Sequence, residues 1–144
     1  GPRLGQDEYG QVVTMMLRSA LDKGIVHVHG DGTQTRSLTW VDDIVRGIAL
    51  SGRMDSCLDS GDSLAGRSFN LGSTEEISMI DLGKAISQLV HERTDRLVEI
   101  EITEGYPGDS ARRLPNLVDA KDSLGWSAIT TLDSGLRQTL DSML

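Results

Sequence analysis

Gly30-Asp31-Gly32-Thr33-Gln34-Thr35-Arg36-Ser37-Leu38-Thr39-Trp40-Val41-Asp42-Asp43 is the stretch that decides how this chain is read. Gly30 and Gly32 permit positive φ, so the chain reverses sharply there. From Thr35 to Val41 the pattern predicts a strand, with side chains alternating between two faces. Arg36, Leu38 and Trp40 then share one face, and Ser37, Thr39 and Val41 the other. A guanidinium beside a leucine and a tryptophan needs an anionic partner, because burying it unpaired is very costly. Either the protein supplies a carboxylate (Asp42, Asp43 and Asp109 are candidates) or a ligand supplies a phosphate. Asp42 or Asp43 is expected to cap a helix running to about Leu50, with Ile44, Val45, Ile48 and Ala49 facing inward.

Before this stretch, residues 1–10 read as a loop. A helix is predicted from about Gln11 to Lys23, with Val12, Met15, Met16, Ala20 and Leu21 as its apolar stripe. Gly24 ends it as a C-cap, and Ile25 to His29 is a strand. Beyond it, residues 51–66 hold four Ser, three Asp and three Gly, the composition of a surface loop. Ser68 to Gly72 reads as a short strand. Thr74 has the look of an N-cap, but the stronger periodic segment covers about 78–92, with Ser78 capping and Asp81 at its third position. Leu97 to Ile102 alternates as a strand, and Gly105 to Leu114 is a loop. A short helix from about Leu117 to Leu124 stops at Gly125, and a last helix runs from about Leu132 to Met143. The alternation of about five helices with short strands makes the class α/β.

At 144 residues the chain has the size of one domain. Apolar content of 38% and charged content of 25% exclude compositional disorder. With aromatics at only 3%, the core must rest on Leu, Ile, Val, Met and Ala. A net charge of -8 and a pI near 4.7 argue against nucleic acid and against anionic membrane surfaces. The single cysteine, Cys57, has no partner for an intrachain disulfide, which favours a reducing compartment and a cytoplasmic location. The sequence carries no signal-peptide pattern and no apolar run long enough to span a bilayer.

Several of these residues together carry a resemblance. Gly1-Pro2-Arg3 resembles the end of the Tyr-Gly-Pro-Arg motif of extended short-chain dehydrogenase/reductases that act on nucleotide sugars. The run Gly30 to Arg36, with Val41-Asp42-Asp43 and Gly47, resembles that family's second conserved block, and Phe69-Asn70-Leu71-Gly72 its Phe-Asn-Leu-Gly strand. Pro107-Gly108-Asp109, Arg112-Arg113, Pro115 and Leu124-Gly125-Trp126 are similar to its C-terminal signature, and Gly135-Leu136 and Thr139 to its closing helix. The nearest branches are the UDP-glucuronate decarboxylases and dTDP-glucose 4,6-dehydratases. The match covers nearly the whole chain in one order. It implies the C-terminal, substrate-binding lobe of an NAD(P)-binding Rossmann-fold protein, over residues 1–144.

Family members also carry a Gly-rich phosphate loop and a Tyr-x-x-x-Lys pair. Here Val13 stands four residues after Tyr9 and Ser110 four after Tyr106, and no G-x-x-G-x-x-G is present. The dinucleotide-binding half is therefore expected to be absent, with NAD belonging to the parent protein and none bound by this chain alone. No catalytic residue is expected.

The resemblance assigns Arg36 to the diphosphate of a nucleotide sugar, beside the salt-bridge alternative. It places one of Arg112 and Arg113 on the same diphosphate, with a slight preference for Arg113; a solvated basic pair is the other reading. Gln34 falls on the substrate side. His29 occupies a position where relatives carry an aromatic touching the base, and a partly exposed strand histidine is equally open. Arg3 would lie beside the nicotinamide end of NAD. Asn116 stands where many relatives have Asp. His27 and His29 share a strand face, but no third metal ligand is evident. Cys57 in a polar loop is a weak nucleophile candidate, Trp126 a core anchor, and Met15-Met16 packing. Two functions compete. One is the nucleotide-sugar-binding part of an epimerase, dehydratase or decarboxylase, inactive by itself. The other is a non-catalytic module that dimerises or docks on a separate Rossmann half; a fragment with no role of its own is a third.

Overall fold

The computed structural model describes Gly1, Pro2 and residues 11–144. Among them the order is α1 (Val12–Lys23), β1 (Ile25–His29), β2 (Thr35–Ser37), α2 (Val41–Ser51) and β3 (Glu76–Ser78). It continues with α3 (Met79–Thr94), β4 (Glu99–Thr103), β5 (Arg112–Arg113), α4 (Val118–Leu124) and α5 (Leu132–Asp141). This is the α/β class with five helices that the periodicities predict. No helix of the described residues is long and apolar enough to cross a membrane. The chain divides into two compact units, one of Gly1–Arg36, Ile77–Arg113 and Asp133–Leu144, the other of Ser37–Glu76 and Leu114–Leu132.

The first unit is built around β1. Its alternation buries Val26 and Val28 and leaves His27 and His29 on the opposite face. β4 pairs with it in parallel, from Ile25 opposite Glu99 to His29 opposite Thr103. Parallel strands need a long crossover, and α3 supplies one, laying Leu82, Ile86 and Val90 against the strand pair. α1 adds Met16, Leu17 and Ala20 and ends at Gly24, whose φ of 71° lets its N–H reach Ala20 O and Ser19 O. α5 closes the core with Leu136 and Leu140. The start of α3 follows the expectation: Ser78 Oγ accepts from Asp81 N at 3.1 Å and bonds the Asp81 carboxylate at 2.7 Å. Lys84 and Ser78 hold that carboxyl below its ordinary pKa. Thr74 caps nothing.

β3, β2 and β5 form a second small sheet in that order. β2 pairs in parallel with β5, Thr35 opposite Arg112 and Arg36 opposite Arg113. β2 is much shorter than expected, so Leu38 and Trp40 do not share a strand face with Arg36. β3 and β5 were not anticipated; two or three residues carry no readable period.

The second unit departs most from expectation. Trp40 is the N-cap of α2, without a side-chain cap bond, and Asp42 and Asp43 stand in the first turn. Asp42 accepts from Trp40 Nε1 at 3.1 Å, while Asp43 is 2% exposed. Val45 and Ile48, expected inside, are 56% and 60% exposed. The buried positions are Asp43 and Gly47. The reason is close approach: a Cβ on Gly47 would meet Leu71 Cδ1 at 2.6 Å and Trp126 Nε1 at 3.0 Å. Asp43 accepts from Ile129 N, Thr130 N and Arg46 Nη2 at 3.2, 2.9 and 2.7 Å, and Trp126 Nε1 donates to its main-chain oxygen at 2.9 Å.

Trp126 is the anchor the sequence suggested, buried with Cys57, Leu64, Ala120 and Leu124. Phe69 and Leu71 pack against this cluster without forming the expected strand. Cys57 is 3% exposed although the segment around it is rich in Ser, Asp and Gly. Asn116 Oδ1 accepts from Val118 N at 3.1 Å and so enters α4 as Asp would. Gly125, at φ 63°, ends that helix.

Two substitutions check this account. Gly32 has φ 73°, and a Cβ there would lie 2.9 Å from both Val28 Cγ1 and Ile80 Cβ. Gly32→Ala is expected to cost about 2–4 kcal/mol in urea unfolding. Asp43→Ala strands two main-chain donors and an arginine, and is expected to cost about 3 kcal/mol. Burial works to raise the Asp43 pKa, but Arg46, Thr130 and Ile129 outweigh it and hold it below 3.8. The stabilisation is therefore whole above about pH 4 and is lost as pH falls through the folded-state value. Urea midpoints measured from pH 7 to 2.5 should fall less steeply for Asp43→Ala than for the parent.

Candidate functional site

The site lies in the first unit and starts from the glycine turn. Gly30 and Gly32 have φ of 69° and 73°. The Asp31 carboxylate accepts from Thr33 N and Thr33 Oγ1 at 2.9 and 2.7 Å, and these bonds hold its pKa below the ordinary value. Gln34 leaves the turn with both ends used. Its main-chain oxygen accepts from Met79 N at 3.0 Å, and its Nε2 donates to His29 O at 2.7 Å.

Two residues on, Arg36 has its side chain only 16% exposed. Nη1 donates to Thr35 O and Ser110 O, each at 2.8 Å, and Nη2 pairs with Asp109 Oδ1 at 2.5 Å. Of the three carboxylates weighed from the sequence, Asp109 is thus the partner. Arg113 shares the same oxygen at 3.5 Å, with its own side chain 63% exposed. Arg112 precedes it on β5 and is exposed. Asp109 sits on a turn closed by its N–H donating to Tyr106 O at 3.2 Å, with Gly108 at φ 79°. One carboxylate therefore holds two guanidinium groups at the end of a loop.

That loop borders a cleft of about 700 Å³. Met15, Met16 and Met79 give it an apolar side, and His29, Gln34, Tyr106 and Asp109 line it as well. His29 is fixed from both ring nitrogens. Nδ1 bonds Thr103 Oγ1 at 2.8 Å and faces Glu104 O at 3.3 Å, while Nε2 faces Tyr106 OH at 3.4 Å. The His29 and Tyr106 rings pack against each other with centroids 4.7 Å apart and planes tilted by 49°. His27 also lines the cleft, 3.5 Å from Glu101 Oε2. Among the described residues no group of three His, Cys, Asp or Glu is placed to hold a metal.

Of the residues chosen from the sequence, His29 and Gln34 thus meet at one cleft, and Arg36 and Arg113 reach its edge through Asp109. Arg112 is adjacent in the chain but does not line the cleft. Arg3 lies outside the described residues. Tyr106 was missed as a site residue, having been considered only for a lysine four residues on. Cys57 has its sulfur against Arg67 Nη1 at 2.7 Å and is buried, which leaves a substrate no approach to it. His91 ends α3, with Nδ1 3.2 Å from Arg96 O.

The glycine turn of the described residues is not built as a dinucleotide cradle. A dinucleotide cradle needs glycines whose open backbone meets a pyrophosphate at a helix start. Here Gly32 is packed against Val28 and Ile80, Gly30 faces Gly105, and the cap residue of α1 is Gln11.

UDP-glucuronic acid decarboxylase 4 of Arabidopsis thaliana is 35% identical over 136 residues, 94% of this chain and 28% of the relative. UDP-glucuronic acid decarboxylase 1 of Xenopus tropicalis is 32% identical over 140 residues, 97% of this chain and 30% of the relative. The chain thus spans about a third of the length of the curated relatives it matches. Among solved structures, UDP-glucose 4-epimerase of Thermotoga maritima with UDP-glucose superposes at a TM-score of 0.80 and 27% identity. The match covers 99% of this chain and 42% of that one. UDP-glucuronic acid 4-epimerase of Bacillus cereus, in complex with UDP-glucuronic acid and NAD, shares the fold at a TM-score of 0.81 and 23% identity, covering 99% and 41%. Residues 1–139 match the family model for GDP-mannose 4,6 dehydratase, and the chain belongs to that family, within the extended short-chain dehydrogenase/reductases.

Proposed function

We propose that this chain is the nucleotide-sugar-binding lobe of an NAD-dependent epimerase, dehydratase or decarboxylase of the cytoplasm, with the diphosphate held by Arg36 and by Arg113 rather than Arg112. His29 and Gln34 face the nucleoside. The observation that carries this reading is the pair of guanidinium groups meeting on one carboxylate at the edge of a 700 Å³ cleft. The chain has a net charge of -8, so a local excess of cation is against the general trend of its surface. Two guanidinium groups against one carboxylate leave positive charge over, and a diphosphate supplies the planar, multiply bonded partner that arginine suits. The Asp109 carboxylate is paired with both guanidinium groups, so a diphosphate competes with it for them. By itself the lobe orients its ligand without turning it over, and its binding energy would serve chemistry at a distant carbon.

Titration calorimetry with inorganic pyrophosphate tests the anion seat. Arg113→Ala is expected to weaken binding roughly tenfold, since a charge-assisted contact is lost from an exposed residue whose removal leaves the fold intact. Asp109→Asn removes the resident competitor and is expected to tighten binding by a similar factor. Affinity should also fall as salt is raised. Tighter binding by Arg113→Ala, or no heat from the folded parent protein with either pyrophosphate or UDP, would refute the reading.

A second reading, association, is favoured by one feature of the second unit. Val41, Val45 and Ile48 follow helical spacing on α2 and are 43%, 56% and 60% exposed. If this ridge is a contact face for a second copy or a separate Rossmann half, a self-associated parent should become monomeric with Val45→Glu. Light scattering decides it: a monomer at every concentration tested removes self-association.

A further inference from the structure

We propose that the outer edge of β4 is a docking surface for an extended segment of another protein, one in which Lys or Arg alternates with Val or Ile, added to the sheet as a further strand. The proposal is independent of the nucleotide reading, because it uses none of that site's residues.

The hydrogen bonding of β4 leaves one side of the strand unused. Glu99 N donates to Gly24 O and Gly30 N to Thr103 O, each at 2.9 Å, so the main-chain groups of Glu99 and Thr103 face β1. Main-chain groups alternate sides along a strand in a parallel ladder. Glu101 therefore also faces β1, and the N–H and C=O of Ile100 and Ile102 point the other way. Among the described residues β1 is the only strand that pairs with β4. The outer side of β1 differs, since Gln34 Nε2 donates to His29 O there at 2.7 Å. An open row of donors and acceptors is a template for another strand.

The side chains beside this row say what kind of strand fits. Ile100 and Ile102 stand opposite Val26 and Val28, on the face that packs against α3. Ile102 is nevertheless 53% exposed, and Leu97 just before the strand is 80% exposed. These are apolar surfaces that a neighbouring strand would cover. On the other face Glu99 and Glu101 are exposed, and Glu104 follows them. The only cation printed against these carboxylates is His27, whose Nδ1 lies 3.5 Å from Glu101 Oε2. Arg96 lies before the strand, with Nε close to Gly24, so the anionic row starts at Glu99.

Charge selects among possible occupants. A second copy paired antiparallel about Ile100 sets Glu99 against Glu101, and pairing about Glu101 sets that carboxylate against its own copy. Like charges directly opposite destabilise a strand pair, and opposite charges stabilise it. The acidic row thus rejects the chain's own β4 and accepts a basic strand. The net charge of -8 draws a basic partner in the same sense. Period two then fixes the pattern: basic side chains beside Glu99 and Glu101, aliphatic ones beside Ile100 and Ile102.

The test uses a fluorescein-labelled peptide, Lys-Val-Lys-Val-Lys-Val-Lys, titrated with the full chain and read by anisotropy. Binding is expected, and it should weaken as salt is raised. The peptide with Glu in place of Lys should not bind. Glu99→Lys with Glu101→Lys, both at exposed positions, should weaken the basic peptide about tenfold. Two further peptides carry N-methyl groups on all the valines or on all the lysines. Only one of these sets presents its N–H groups to β4, the valines in an antiparallel pair and the lysines in a parallel one. One methylated peptide should therefore lose more than about tenfold in affinity, and the other should keep it. Hydrogen exchange should slow at the Ile100 and Ile102 amides and change little at Glu101 and Thr103. Equal effects of the two methylated peptides overturn the proposal, because attraction between charges alone would then explain binding. So do unchanged exchange at Ile100 and Ile102, equal binding of the acidic peptide, or no binding of the basic one. Concentration-dependent protection of Ile100 and Ile102 without peptide also overturns it, in favour of a second copy.

Discussion

A half-buried guanidinium must be met by acceptors, and around Arg36 that requirement organises the end of the first unit. Its two terminal nitrogens engage Thr35 O on its own strand, and Ser110 O and Asp109 on a loop more than seventy residues on. A buried cation deprived of such partners costs several kcal/mol, on the order of 3–5 when one member of a buried pair is removed. The loop is therefore not free to choose its path. Because Asp109 is drawn to Arg36, the turn behind it places Tyr106 against His29, and the chain continues into β5 with Arg113 beside β2. The same interaction that stabilises the loop sets out the groups around the cleft.

What could be read from the sequence was what local chemistry governs. The apolar period of α1 and its glycine stop, the alternation of β1, the Ser78 cap and the Gly125 stop all depend on neighbours within a few residues. The orientation of α2 depends on residues elsewhere. Its aliphatic side chains suggested an inner face, but Asp43 and Gly47 turn inward because Thr130, Ile129, Trp126 and Leu71 wait there. Nothing within the helix announces those partners. The cleft divides in the same way. Arg36, His29 and Gln34 stand in a recognisable motif. The sharing of Asp109 between two arginines, and the packing of Tyr106 against a histidine 77 positions away, arise only when the chain is folded.

The second unit shows how a small core with few aromatics is made specific. Its apolar cluster is only Cys57, Leu64, Ala120, Leu124 and Trp126, with Phe69, Leu71, Leu50, Met54 and Ala128 around it. Asp43 adds a buried charge whose oxygens are all committed, to two main-chain amides and to Arg46. Burying such a group stabilises little against an apolar substitute, but a satisfied polar network admits few alternative packings.

The distribution of chromophores has a practical outcome. Both tryptophans, Trp40 and Trp126, and the sole thiol, Cys57, fall in the second unit, and Cys57 is sealed from solvent. Indole emission and thiol trapping therefore report on the opening of that unit alone, while far-ultraviolet ellipticity is dominated by α1, α3 and α5 of the first. Overlaying the two signals along one denaturant gradient reads out, without any label, whether the halves of this chain melt as a single cooperative body.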